Sequence, residues 1–508
     1  MKLPDSKASD AIDRREFIKN TLVTSLYAPL LVTSPRPLLE PLFRKERLPK
    51  PVVETPEQCW NEGFDAVFNE LKANLQSKIP LLRGNWAQPA PRFWGTYFWD
   101  TCFISRIWAL WMPETAWEIF KPFLARQRSD GRIPHEVDPF KSSGITQPPL
   151  LAWAMANLSQ SSPNTPFLKE AYTVLVHYHD WLSKKRFKNG FYYWKEPYES
   201  GMDNSPRFYE RADESRQRDM KKLIPVDLNS EVVIQLESLS ALAKILGKTG
   251  EAKKFQRKAA VLKARINKQM WNEQEGLYCD IYDGKLLNIQ TIASFFPMMA
   301  GIPGEKQISA LVRVVTDPER FWTKMPFPTV AKNDPYFEFD AWRGPAWINT
   351  SYLVIRGLER CGRRDLAAQA ARRVINNVYG TWSKREHFYE FYNPITGDIK
   401  YLHRKKGNIM KTLLMGTGPV KHFVGWTGLV NNLLVEDILG IRWKGEKLVF
   451  EPAMPPEWLG RTVRYKSDFL NLDCSLKLEE PDKVRVNVSK PVAEEMVVPN
   501  VPFRTRKP

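Results

Sequence analysis

Paired cysteines are missing from this chain. Its five cysteines (Cys59, Cys102, Cys279, Cys361 and Cys474) lie far apart, with no CxxC spacing among them. The odd count argues against a complete disulfide framework and the spacing against a zinc site, so most are expected to be small buried hydrophobes. Histidine is scarce as well. None of the six forms an HExxH pattern, and His177 and His179 stand two apart on an expected helix, so they share no face. Neither a metal nor a cofactor is expected. Beyond the N-terminal region no run is long and apolar enough to span a bilayer. Long stretches of one charge are lacking too. The formal charge is +18, yet the 75 Lys and Arg are scattered among 57 Asp and Glu, and no RNA- or DNA-binding motif is visible. That distribution fits a basic solvated surface rather than a nucleic-acid stripe, so no nucleic-acid partner is expected. Acidic glycans or anionic lipid would suit the charge.

Aromatic residues, by contrast, are plentiful. The chain has 18 Trp, 17 Tyr and 27 Phe, many beside polar residues, as in Tyr97-Phe98-Trp99-Asp100 and Ala341-Trp342-Arg343-Gly344-Pro345-Ala346-Trp347. Such rings either fill a core or line a sugar cleft, where their faces pack on pyranose C–H groups. Near the N-terminus, Asp13-Arg14-Arg15-Glu16-Phe17-Ile18-Lys19 resembles the bacterial twin-arginine motif, and the mostly apolar stretch Thr21 to Val32 follows it. Residues 1–33 are therefore read as an export signal with a periplasmic destination. Without a clean A-x-A site, an uncleaved signal is the one expected membrane contact. Residues 34–55, interrupted by Pro35, Pro37, Pro41, Pro49 and Pro51, read as an extended linker.

Helical periodicity dominates from Thr55-Pro56-Glu57-Gln58, a start signal with capping-box spacing that Thr165-Pro166 echoes. Trp60, Phe64, Val67, Phe68 and Leu71 define a first helix. Further candidates span 98–111, 113–126, 146–159, 166–184, 227–247, 250–271, 289–300, 304–316, 345–361, 365–380 and 421–438. Twelve helices, mostly paired, suggest a mainly α fold: six hairpins in an (α/α)6 toroid barrel over residues 56–440. After Gly440 the pattern changes to period two, as in Leu472, Cys474, Leu476, Leu478 and Val484, Val486, Val488. Residues 441–508 are read as a small C-terminal β appendage.

Two acid-bearing segments, far apart in sequence, stand out. Glu199-Ser200-Gly201-Met202-Asp203-Asn204-Ser205-Pro206-Arg207-Phe208 is a turn-rich loop after an aromatic run. A carboxyl among rings is partly desolvated, which raises its pKa and suits it to holding a proton near neutral pH. Arg207 would oppose that shift by pairing with Asp203, so it is expected to contact substrate or another acid. The second segment, Phe388-Tyr389-Glu390-Phe391-Tyr392-Asn393-Pro394, reads as extended, with Glu386, Phe388 and Glu390 pointing the same way. Judged singly, Asp203 also reads as an Asx-turn residue and Glu390 as a surface glutamate.

Other motifs bear on that choice. Arg92-Phe93-Trp94-Gly95-Thr96-Tyr97-Phe98-Trp99-Asp100 resembles the trehalase signature R-F-x-E-x-Y-x-W-D. Gly131-Arg132-Ile133-Pro134-His135, Thr146-Gln147-Pro148-Pro149 with Ala152-Trp153, and Trp342-Arg343-Gly344-Pro345-Ala346-Trp347 are similar to glycoside hydrolase family 63 and its mannosylglycerate-hydrolase-like relatives. The resemblance runs in order from about Arg92 to Trp426. It implies an (α/α)6 barrel that cleaves α-glycosidic bonds with inversion, Asp203 falling at the general acid and Glu390 at the general base. It further implies sugar contacts from Trp99 and Asp100, with Tyr97, Gln147, Arg207, Trp342, Arg343 and Trp426 as lining candidates. Gly95 stands where the trehalase signature has glutamate, which argues against trehalose as substrate. The expected partner is a carbohydrate: an α-glucoside or a small glycosylated solute. A toroidal polysaccharide lyase and a non-catalytic sugar-binding protein are the other readings, the second disfavoured by retention of both acids.

Overall fold

The computed structural model describes residues 48–210, 214–404, 413, 416–444, 447–490 and 494–503. The expected export signal and residues 34–47 of the linker lie outside them. The helices are α1 (Gln58–Ala73), α2 (Phe98–Trp108), α3 (Pro113–Glu118), α4 (Lys121–Ala125), α5 (Leu151–Ser161), α6 (Thr165–Lys185), α7 (Val226–Ile245), α8 (Thr249–Gln269), α9 (Phe296–Met299), α10 (Glu305–Val315), α11 (Ile348–Arg360), α12 (Arg364–Arg385) and α13 (Leu429–Asn432), which continues as a wider π turn over Leu433–Ile438. Burial divides them into two kinds. α7 is buried nearly all round, Asp227, Asn229, Ser230, Glu231 and Gln235 included, while α8 buries only the stripe Ala252, Phe255, Ala259, Leu262 and Ile266. A helix buried on every side belongs inside the molecule and an amphipathic one belongs on its rim. Accordingly α2 packs on α5, α5 on α7, α7 on α9 and α9 on α11, and α13 touches both α11 and α2. α6, α8 and α12 back this inner row.

Several elements differ from the periodicity reading, each for a local reason. The 113–126 helix is broken in two, Pro122 opening the second piece with no N–H to donate backward. The 289–300 helix becomes a 3-10 turn, Ile292–Phe295, running into the short α9 around Pro297. The 421–438 helix begins only at Leu429. Residues before it form turns, Gly425 N–H bonding Pro89 O at 3.0 Å, and this leaves Trp426 in a loop.

Strands enter at both ends, with several short ladders between, one of which bears on the site. β1 (Val52–Glu54) precedes the first helix. β2 (Thr96–Tyr97) leads directly into α2 and pairs antiparallel with β3 (Glu136–Val137). The C-terminal part holds a hairpin, β4 (Ile441–Lys444) with β5 (Lys447–Phe450), and an antiparallel sheet of β6 (Thr462–Ser467), β7 (Leu472–Glu480), β8 (Lys483–Lys490) and β9 (Glu494–Pro499). The fifth strand of that sheet comes from the other end of the chain. β1 pairs with β6, Val53 against Tyr465, so the expected linker boundary at residue 55 falls too late. Val53 is buried between exposed Val52 and Glu54, the alternation of an edge strand with one covered face.

Candidate active site

The first acid segment is a chain of tight turns. A 3-10 turn, Pro197–Ser200, ends at Gly201, whose φ of +73° glycine adopts without strain. Space demands glycine as well: a Cβ here would lie 2.5 Å from the Trp99 ring. The loop therefore passes close against Trp99. Of its two acids, Glu199 is fully buried and held by Arg186 (2.7 and 3.2 Å) and by Lys195 N–H (2.7 Å). Asp203 is half-buried two residues past the glycine, its backbone carbonyl accepting from Tyr209 Oη at 3.0 Å.

The second segment, expected to be extended, forms isolated bridges on either side of a bend at Glu390 and no continuous strand. Tyr389 bridges to Lys421 and Tyr392 to Ala346, and Glu390 N–H donates to Val420 O at 3.1 Å. Glu390 is 3% exposed, and its carboxylate accepts from Val420 N–H (3.4 Å) and contacts the Arg404 guanidinium. Glu386 lies elsewhere, exposed at the left-handed C-terminal cap of α12.

Three tryptophans join the two segments. Trp99, Trp342 and Trp426 form a triangle with ring centroids 6.1, 6.4 and 6.4 Å apart. Trp99 touches the Asp203 loop at Gly201. Trp342 N–H donates to Asn204 Oδ1 (2.9 Å), beside Asp203, and Trp426 Nε1 donates to Glu390 O (2.8 Å). Trp347 stacks on Trp342 at 3.6 Å and on Phe391 at 4.6 Å, bracing the triangle from behind. Ala341, at a φ of +42°, sets up this arrangement: its carbonyl accepts from Trp347 Nε1 at 2.8 Å.

The remaining candidates divide. Asp100, in the first turn of α2, is 5% exposed, and burial pushes its carboxyl up to about 7. Gln147 spends its side-chain oxygen on Trp99 N–H (2.9 Å), one of the unpaired donors at the start of that helix. Tyr97 donates from its hydroxyl to Glu136 at 3.1 Å. Arg343 holds Glu338 (3.0 and 3.1 Å), and its second terminal nitrogen is buried with no hydrogen-bond partner among the described residues. Arg207 faces acids: it pairs with Asp227 and, at 3.4 Å, with Asp280, all three buried. Burial pushes Asp280 up to about 6 even though Arg207 opposes the shift. Among the described residues no group of three His, Cys, Asp or Glu is placed to hold a metal ion.

Arg404 was not legible in the sequence, because no motif surrounds it and its contact with Glu390 is made only in the fold. Asn204 lay inside the first acid segment. Its side chain could have been flagged as the natural tie between a loop and a neighbouring backbone.

A family model described as the mannosylglycerate hydrolase MGH1-like glycoside hydrolase domain matches residues 94–409, well over half of the chain. The chain belongs to this glycosidase family. A Borreliella burgdorferi protein with no assigned function is 28% identical over 58% of this chain, and the match spans 59% of that relative's length. A mannosylglycerate hydrolase of Rubrobacter radiotolerans is 25% identical over 62% of this chain and 89% of its own. Among solved structures, a family 63 mannosylglycerate hydrolase of Thermus thermophilus in complex with glucose matches with a TM-score of 0.60 at 23% identity, covering 72% of this chain and 98% of that one. This last likeness concerns the fold, and it agrees with the mainly helical architecture.

Proposed function

We propose that this member of the family is an inverting α-glycosidase in which Asp203 is the general acid and Glu390 the general base. The observation that carries the reading is the tryptophan triangle, which ties both acid segments to one aromatic enclosure. Inversion needs carboxyl groups about 6.5–9.5 Å apart, with room for one water between sugar and base. Asp203 gives its proton to the glycosidic oxygen as the C1–O bond breaks, and Glu390 takes a proton from the water whose oxygen attacks C1 from the opposite face. The products are a free sugar of inverted configuration and the released alcohol. In this reading Trp99 supplies a ring face and the buried Asp100 a hydroxyl acceptor for the −1 sugar. We read the inner row of helices as a closed (α/α)6 toroid around this site. The relatives named mannosylglycerate hydrolase favour a small glycosylated solute, a glucosyl- or mannosylglycerate, over a long α-gluco-oligosaccharide.

Asp203→Asn and Glu390→Gln should each lower kcat by roughly a hundredfold or more on a cleaved substrate while leaving binding intact. Near-normal turnover in either variant removes its assigned role. NMR of the first-formed sugar reads the stereochemistry directly, and retained configuration rules out the scheme.

We further propose that residues 1–33 direct export by the twin-arginine route, a reading that rests on Arg14 and Arg15 with the apolar stretch behind them. A reporter fused after residue 50 should lose its periplasmic signal when both become Lys. Unchanged location excludes the route.

A further inference from the structure

Gly95 breaks the signature around it, and the structure offers a reason. It immediately precedes β2, whose pairing with β3 sets Tyr97 opposite Glu136. A Cβ on Gly95 would stand 2.9 Å from Val137 O, 3.1 Å from Glu136 Cγ and 3.3 Å from Glu136 Oε1. The volume that a side chain at position 95 would enter is thus closed by the Val137 carbonyl and by the Glu136 side chain from the facing strand. Glu136 is half-buried, and one of its oxygens accepts from Tyr97 Oη at 3.1 Å, two residues before Trp99. Two aromatic side chains stand out to solvent on the same pair of strands, Trp94 just before β2 (43% exposed) and Phe140 just after β3 (86% exposed). A carboxylate on one strand and exposed aromatic rings on the segments just outside the pair have the composition of a sugar-contacting rim.

The geometry points to Glu136 as a specificity-determining residue of this site, a carboxylate delivered from β3 in place of one at position 95, which fixes the Tyr97 hydroxyl and accepts a hydroxyl of the bound glycoside. The inference rests on the glycosidase reading of the same site. Glu136 takes no part in proton transfer at the glycosidic bond. Its effect belongs in KM and in the choice among glycosides, because one oxygen orients Tyr97 and the other faces substrate.

The test is made on the full chain with glucosylglycerate, mannosylglycerate and methyl α-D-glucoside. Glu136→Ala should lower kcat/KM by about ten- to a hundredfold, chiefly through KM, on the usual scale for a hydrogen bond to a charged group. Glu136→Gln, which keeps the shape and the acceptor for Tyr97, should recover part of that loss. Gly95→Glu alone should be impaired by the clash. An unchanged KM in Glu136→Ala overturns the assignment and leaves Asp203 and Glu390 untouched. A wild-type chain that neither binds nor cleaves any of the three glycosides overturns both readings together.

Discussion

Burial pushes the Asp100 carboxyl up to about 7, so near neutral pH the folded chain holds a proton that the unfolded chain, with an ordinary aspartate, has already released. The sign follows from linkage. Between about pH 4 and pH 7 the folded state binds more protons than the unfolded one, so this residue makes stability fall as pH rises through that window. Above it the full penalty remains, up to about 4 kcal/mol for a shift of this size. Asp100→Asn removes the ionisation. It should flatten that part of the pH dependence and raise the melting temperature at pH 8 relative to wild type. Melts at pH 5 and pH 8 decide this, and parallel slopes in the two proteins would contradict it. The same scale shows what an isolated motif can and cannot say. Glu199 and Asp203 share one segment, yet in the fold Glu199 is fully buried and held by Arg186 and Lys195 N–H, while Asp203 is half-buried.

Helices were legible as periods and illegible at their ends. Apolar spacing located the long ones, α6, α7, α8 and α12, because burial of one face or of all faces leaves a mark over many residues. Starts depend on one or two polar side chains that compete. Thr165-Pro166 reads as a cap, yet Thr165 is already the first helical residue, and Asn164 accepts from Phe167 N–H at 3.2 Å. Thr55 likewise bonds Asn61 through its own N–H (2.8 Å) and hydroxyl (2.9 Å), and α1 opens two residues beyond Pro56. Asn164→Ala should therefore cost about 1 kcal/mol in urea unfolding, the usual loss for an N-cap, and Thr165→Ala clearly less. Equal effects would place the cap where the motif alone puts it. The site obeys the same logic. Its aromatic and acidic residues could be picked from the sequence, whereas the triangle that unites them depends on the turns around Gly425 and Ala341, which carry no periodic signal.

At the scale of the whole molecule, the shift to period two after Gly440 was visible, but its integration with the helices was not. Pairing of β1 with β6 joins opposite ends of the chain, and no local pattern encodes a partner so remote. The same two regions meet again where Trp458 packs edge-on against Trp60 at 5.4 Å and donates from Nε1 to Glu57 at 2.8 Å. The β4–β5 hairpin is pinned through Arg442, which pairs with Glu359 of α11 and with Asp437 at 2.9 Å, both acids also being held by Arg356. A partly buried network of this kind stabilises little by itself, but removing its partner strands leaves buried charges uncompensated. Cutting the chain after Gly440 would take away Arg442 and Trp458 and leave β1 without its neighbour. The truncated protein should then fail to reach the native state, and the full chain should unfold in one calorimetric transition. Two resolved transitions, or a 48–440 fragment melting where the full chain does, would show that the strands are a separable module.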